Sequence, residues 1–212
     1  MSGLTDNLES IADQIRESLS AKDAAREKVL PLCRKTIRNC ANAIRAVHRR
    51  EFDQATELLR SARNLLSEAE QGISVHGELG YTGFVRDAQE EFAEGSITLA
   101  LVIGNRLPDP DELGIDAAAY LNGLGEAVGE LRRYLLDSMR RGDLSQGEEL
   151  LSAMDDIYNT LVTMDFPDAI TGGLRRTTDM VRGVLERTRS DLTLAIGQKG
   201  LVDKLADFST EK

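Results

Sequence analysis

The chain has 212 residues and a net charge of -10, with a sequence pI near 4.8 and 41% hydrophobic residues, enough to bury a sizeable core as one domain spanning 1–212. The longest apolar run, "SITLALVIG", is far shorter than the roughly 20 residues of a bilayer span, and the start "MSGLTDNLESIADQIRE" lacks a basic, apolar signal pattern. These features exclude a membrane protein and predict a cytoplasmic one.

Prolines fall only at Pro31, Pro108, Pro110 and Pro167, aromatics are few, and spacings of three and four dominate, so the expected class is all-α. Leu4, Leu8, Ile11, Ile15 and Leu19 form a first amphipathic segment, a helix or arm over 1–23. The second, over 24–50, carries Leu30, Cys33, Ile37, Ala41, Ile44 and Val47, with Pro31 marking a kink or the true first turn. Cys33 and Cys40 lie two turns apart, about 10.5 Å by helical rise, beyond disulfide reach. A third segment, 52–71, repeats Ala55, Leu58, Leu59, Ala62, Leu65, Leu66 and Ala69, and the link "GISVHGELG" leads to a fourth over 81–105. Further helices are expected over 116–141, 145–164 and 171–196, with Ser145 as an N-cap and Glu148 as its capping-box partner. A flexible tail is expected over 199–212. Short links between long helices predict a bundle of six or seven antiparallel helices.

Two charge patterns stand out. On the fourth segment a stripe of Phe84, Ala88, Phe92, Leu99 and Val102 has Glu91 at its edge, with Asp87 and Glu94 just beyond and Glu90 on the solvent side. On the fifth, Tyr120, Leu124, Ala127, Leu131 and Tyr134 form the stripe, bordered by Glu130 with Glu126 one turn earlier. Four inward glutamates would suit a hard divalent cation such as Mg²⁺, with oxygen ligands completed by water and phosphate. A di-iron site needs Glu-x-x-His pairs, and neither His48 nor His76 follows a glutamate at that spacing. The competing reading is a solvated acidic helix face. The second pattern is a basic strip on an acidic protein: Arg34, Arg38, Arg45 and Arg49, with Lys35 beside them, share one helix face. It is a ladder for phosphate contacts or, alternatively, a surface for internal ion pairs; no aromatics interleave to stack bases.

The stretches "CRKTIRNCANAIRAVHR", "GFVRDAQEEFAEGSITLALV" and "DAAAYLNGLGEAVGELRRYLLDSMRRGD" together resemble the translin superfamily, and within it the branch of translin-associated factor X. The resemblance implies a translin-like α-α superhelix assembled into a closed octamer that binds RNA or single-stranded nucleic acid. In the factor-X branch it also implies Mg²⁺-dependent RNA cleavage, with Mn²⁺ as a substitute and single-stranded regions preferred. The family's catalytic acids correspond to Glu91, Glu94 and Glu126, which would hold the metal, with Glu130 adjacent. Its nucleic-acid contacts fall near Arg34, Lys35, Arg38, Arg45 and Arg49. Two departures are visible: Glu126 stands where the branch has aspartate, and Gly95 where it has alanine. The alternative is a non-catalytic RNA- or single-stranded-DNA-binding oligomer of translin type.

Overall fold

A computed structural model describes residues 4–74 and 83–210. The histidine His76 and the expected helix start at Tyr81 lie outside the described residues. Among the described residues the architecture is entirely helical, in the order α1 (Leu8–His48), α2 (Phe52–Gly72), α3 (Gly83–Val102), α4 (Pro110–Leu113), α5 (Ala117–Arg140), α6 (Gly147–Val162), α7 (Asp168–Thr171) and α8 (Leu174–Thr210). Six of these are long and two are single turns. None is long and apolar enough to cross a membrane.

The two segments expected over 1–23 and 24–50 are one helix of 41 residues, and Pro31 sits inside it. An interior proline costs about 3 kcal/mol of helix stability. Packing of the flanking Val29, Cys33 and Thr36, all buried, outweighs that here. Residues 49–51 turn the chain, with Arg50 at a φ of 62°. This left-handed conformation is uncommon for arginine. Its guanidinium bonds Asp143 at 2.8 Å and lies 5.9 Å from the Tyr134 ring centroid, so the hairpin is locked to the far end of α5. Ala55, Leu59, Ala62, Leu66 and Ala69 then form a buried seam of alternating small and large residues on α2, which packs along α1.

Neighbouring helices are antiparallel where the link is short, as for α1 and α2. The connection from α3 to α5 is longer, and α4 lies within it, started by an Asp109–Glu112 capping box and closed by Gly114 at a φ of 63°. That crossover lets α3 and α5 run the same way: Gly123 meets α3 at Glu90–Ala93, while Gln146, just beyond α5, donates to the Val102 carbonyl at 3.0 Å. The close approach depends on Gly123, where a Cβ would stand 2.6 Å from both the Glu90 carbonyl oxygen and Ala93 Cβ. Gly125 does the same on the α8 side, 2.4 Å from Thr177 Cγ2, so α5 is clamped between α3 and α8.

At the start of α6 the expected cap is absent. Gln146 is the N-cap residue and makes no side-chain cap bond. Ser145 instead donates from its N–H and hydroxyl to Asp143, at 3.1 and 2.7 Å. The last helix continues past the expected end at Ile196, through the segment expected as a tail, to Thr210.

Candidate active site

The three helices α1, α3 and α5 form a groove: α3 is its floor and the other two its walls. Glu90, Glu91 and Glu94 rise from α3, all half-buried, and Glu126 and Glu130 face them from α5. The buried Cys40 of α1 lies against Glu91 and Glu94, and its thiol is pushed up first by burial and then by those two charges. The sequence-predicted acids are therefore brought together. Gly95 opens the floor to the neighbouring helices: a Cβ there would stand 3.0 Å from Leu59 Cδ2, so the alanine of the family pattern would press on the core.

The carboxylates interact strongly. Burial pushes Glu94 up to about 8, with Glu91, Glu126 and Glu130 adding repulsion. Burial likewise raises Glu91, with Glu126, Asp87 and Glu130 behind it, and raises Glu126, with Asp87 behind it. Glu90, expected on the solvent side, is part of this group. Its side chain is only 18% exposed, and burial lifts it to about 7 despite an ion pair to Arg86 at 3.4 Å. A helical wheel of α3 alone places it outward; the approach of α5 at Gly123 encloses it. Glu130 behaves oppositely. A hydrogen bond from His48 Nε2 holds it below the usual carboxylate range, with help from Arg133 at 3.8 Å.

His48 is the residue that sequence reasoning did not connect to the site. Its side chain is 6% exposed, and its Nδ1 is buried without a partner. The available signal was its position seven residues after Ala41, on the inward flank of α1; its partner, however, lies 82 residues away.

Carboxylate oxygens with so few compensating cations are the donor set a hard divalent ion takes. Among the described residues, no three or more His, Cys, Asp or Glu side chains are drawn together in metal-holding geometry.

The basic strip lies elsewhere on α1. At about 100° per residue, Arg34, Lys35, Arg38, Arg45 and Arg49 fall roughly 120–220° around the helix from Cys40, on its outer face. All five are exposed. Arg49 pairs with Glu51 at 2.6 Å and Arg45 bonds Asn42 at 2.8 Å, whereas Arg34, Lys35 and Arg38 form no ion pair among the described residues. Internal pairing thus accounts for one end of the strip only. An apolar cavity of 770 Å³, lined by Leu101, Tyr120, Leu121, Ile157, Phe166 and Ile170 among others, is distinct from the carboxylate groove.

No family model matches the chain. An uncharacterized protein of Methanocaldococcus jannaschii is 32% identical over 183 residues, which cover 84% of this chain and 79% of that protein. The solved structure of AfC3PO in complex with duplex RNA shares 32% identity at a TM-score of 0.79, covering 88% of this chain and 97% of AfC3PO. Apo-NeC3PO, at 17% identity and a TM-score of 0.73, shares the fold over 92% of this chain and 98% of its own.

Proposed function

The chain belongs to the translin superfamily, and from that premise we propose that it is a Mg²⁺-dependent endoribonuclease. The observation that carries this reading is the gathering of Glu91, Glu94 and Glu126 in one half-buried groove, with no ion pair to any of the three among the described residues. Glu91, Glu94 and Glu126 hold the metal, and Glu130 assists from the α5 wall. Mg²⁺, or Mn²⁺ in its place, would supply positive charge at the scissile phosphate and lower the pKa of water. The residues of the chain bind and orient. Arg34, Lys35, Arg38, Arg45 and Arg49 grip the RNA backbone along the outside of α1, and Arg34 and Arg45 lie on the side of the strip nearest the groove. The strip contains no aromatics, so binding depends on phosphate and not on base identity. Single-stranded regions are the preferred substrate, and the duplex held by AfC3PO makes duplex RNA the necessary comparison.

The working form in this reading is a closed homo-octamer in the cytoplasm. Support for assembly comes from the exposed apolar stripes at the start of α1 and the end of α8.

The test is cleavage of single-stranded and duplex RNA with Mg²⁺ or EDTA, using wild type, Glu91→Ala and Glu126→Asp. Cleavage by wild type that EDTA and Glu91→Ala abolish supports the proposal. Intact RNA, under conditions where a control nuclease cuts, overturns it. The exposed basic strip, with Arg34, Lys35 and Arg38 in no ion pair among the described residues, also favours one alternative, a translin-type protein that binds RNA or single-stranded DNA without cutting. That reading predicts salt-sensitive binding that survives EDTA and Glu91→Ala but loses about one unit of salt slope on Arg38→Ala.

A further inference from the structure

The acids of the groove are not equivalent, because among the described residues only Glu130 receives a hydrogen bond from a buried side chain of another helix. That donor, His48, occupies the last residue of α1. Two residues on, Arg50 bonds Asp143 and covers Tyr134, so the end of α1 is also fixed to the C-terminal end of α5 just beyond the contact. The imidazole is 6% exposed and finds no partner for Nδ1. A buried N–H without an acceptor is costlier than a buried lone pair, so the tautomer with the proton on Nε2 is favoured and His48 donates to Glu130. The competing contact to Glu130 is Arg133, three residues along the same helix and 58% exposed. It would draw the carboxylate outward, toward solvent.

We propose that His48 is a positioning residue: its Nε2–H holds the Glu130 carboxylate inward, facing Glu91 and Glu94, so that it can take part in cation binding. This inference rests on the cation-dependent reading of the groove. It predicts that the site depends on a donor at the Nε2 position, not on an imidazole as such. Glutamine can place its amide N–H₂ near that point; leucine fills similar volume and donates nothing.

The experiment compares wild type, His48→Gln and His48→Leu as full chains by Mn²⁺ affinity and by RNA cleavage, after melting curves in EDTA have shown each to be folded. The expected result is that His48→Leu weakens Mn²⁺ binding at least tenfold and lowers kcat at least tenfold with KM for RNA within twofold. His48→Gln stays within about threefold of wild type in both. Equal Mn²⁺ affinity in the three proteins, or a glutamine variant as impaired as the leucine one, overturns the role of His48. Mn²⁺ binding by a wild type that leaves RNA intact would remove the nuclease reading alone, and the affinities would still decide the role of His48.

Discussion

Burial and repulsion act on Glu94 in the same direction, which makes the groove a source of instability whenever its acids are ionised. The folded state raises Glu94 to about 8 and Glu90 to about 7, whereas an unfolded glutamate titrates near 4.3. Between those values the folded chain binds more protons than the unfolded one, so stability falls as pH rises through that window. In EDTA, the melting temperature should be lower at pH 8.5 than at pH 5.5 by on the order of 5 °C. Glu94→Gln should remove much of that slope, since it takes away the most strongly raised group. A slope unchanged by the substitution would mean that the instability arises elsewhere. Divalent cations favour the ionised acids, so stabilisation by Mg²⁺ should grow over the same range, contrary to the trend of the free protein.

Also at the residue scale, Glu126 is the position where the chain departs from the aspartate of the family pattern. The longer side chain reaches across from α5 toward Glu90, Glu91 and Glu94. Shortening it should pull one carboxylate back by about one bond length. If Glu126 is a ligand in the proposed cation-dependent cleavage, Glu126→Asp is expected to retain cleavage within about tenfold of wild type and Glu126→Gln to lose it by a hundredfold or more. Single-turnover cleavage at saturating RNA separates these outcomes; equal rates for Gln and wild type would exclude Glu126 from the chemistry.

At the scale of elements, the glycines of "GLGEAVGEL" divide into roles that no single rule of helix propensity would assign. Gly123 and Gly125 let α5 approach α3 and α8, while a Cβ at Gly129 would meet nothing within 4 Å. Gly123→Ala should force α3 and α5 apart and cost about 1–3 kcal/mol as overpacking does. Gly129→Ala should instead be neutral or stabilise by up to about 1 kcal/mol through helix propensity. Urea denaturation measures both; equal effects would mean that the α3–α5 approach does not depend on Gly123. Such contacts explain what was legible in the sequence. The helix faces were, because periodicity is local: the stripes of α3 and α5 are buried as spaced, except that Phe84 and Tyr120 near their starts are only half-buried. The inward turn of Glu91, Glu94, Glu126 and Glu130 was legible for the same reason. The enclosure of Glu90 was not, since it depends on a second helix at Gly123, nor was the partnership of His48 with a distant glutamate. The continuity of α1 through Pro31 was hidden likewise, because tertiary packing outweighs a local breaker.

At the scale of the whole molecule, the buried face of α1 begins at Val29, yet the same face continues toward its N-terminus with Leu8, Ile11, Ile15 and Leu19 exposed by 60, 43, 54 and 59%. The far end of α8 is similar, with Leu194, Leu201, Val202 and Leu205 each more than 60% exposed. Contacts to the carboxylates and to Arg50 place the C-terminal ends of α1 and α5 together, and Gly125 and Arg132 of α5 meet Thr177 and Asp191 of α8 in the same order. The two apolar extensions therefore project from opposite ends of the bundle. Isolated helical arms of this kind are marginal in water, and packing of the apolar face against another chain would supply the missing burial. The double substitution Ile11→Glu and Ile15→Glu alters the α1 arm without touching the core or the groove. It should lower the mass measured by light scattering from that of an assembly toward the 23.3 kDa of one chain, while the fold of the bundle, read by circular dichroism, is kept. RNA affinity should fall along with the mass, since several basic strips on one particle bind a long RNA at a high effective concentration. An unchanged mass would show that other surfaces hold the copies together.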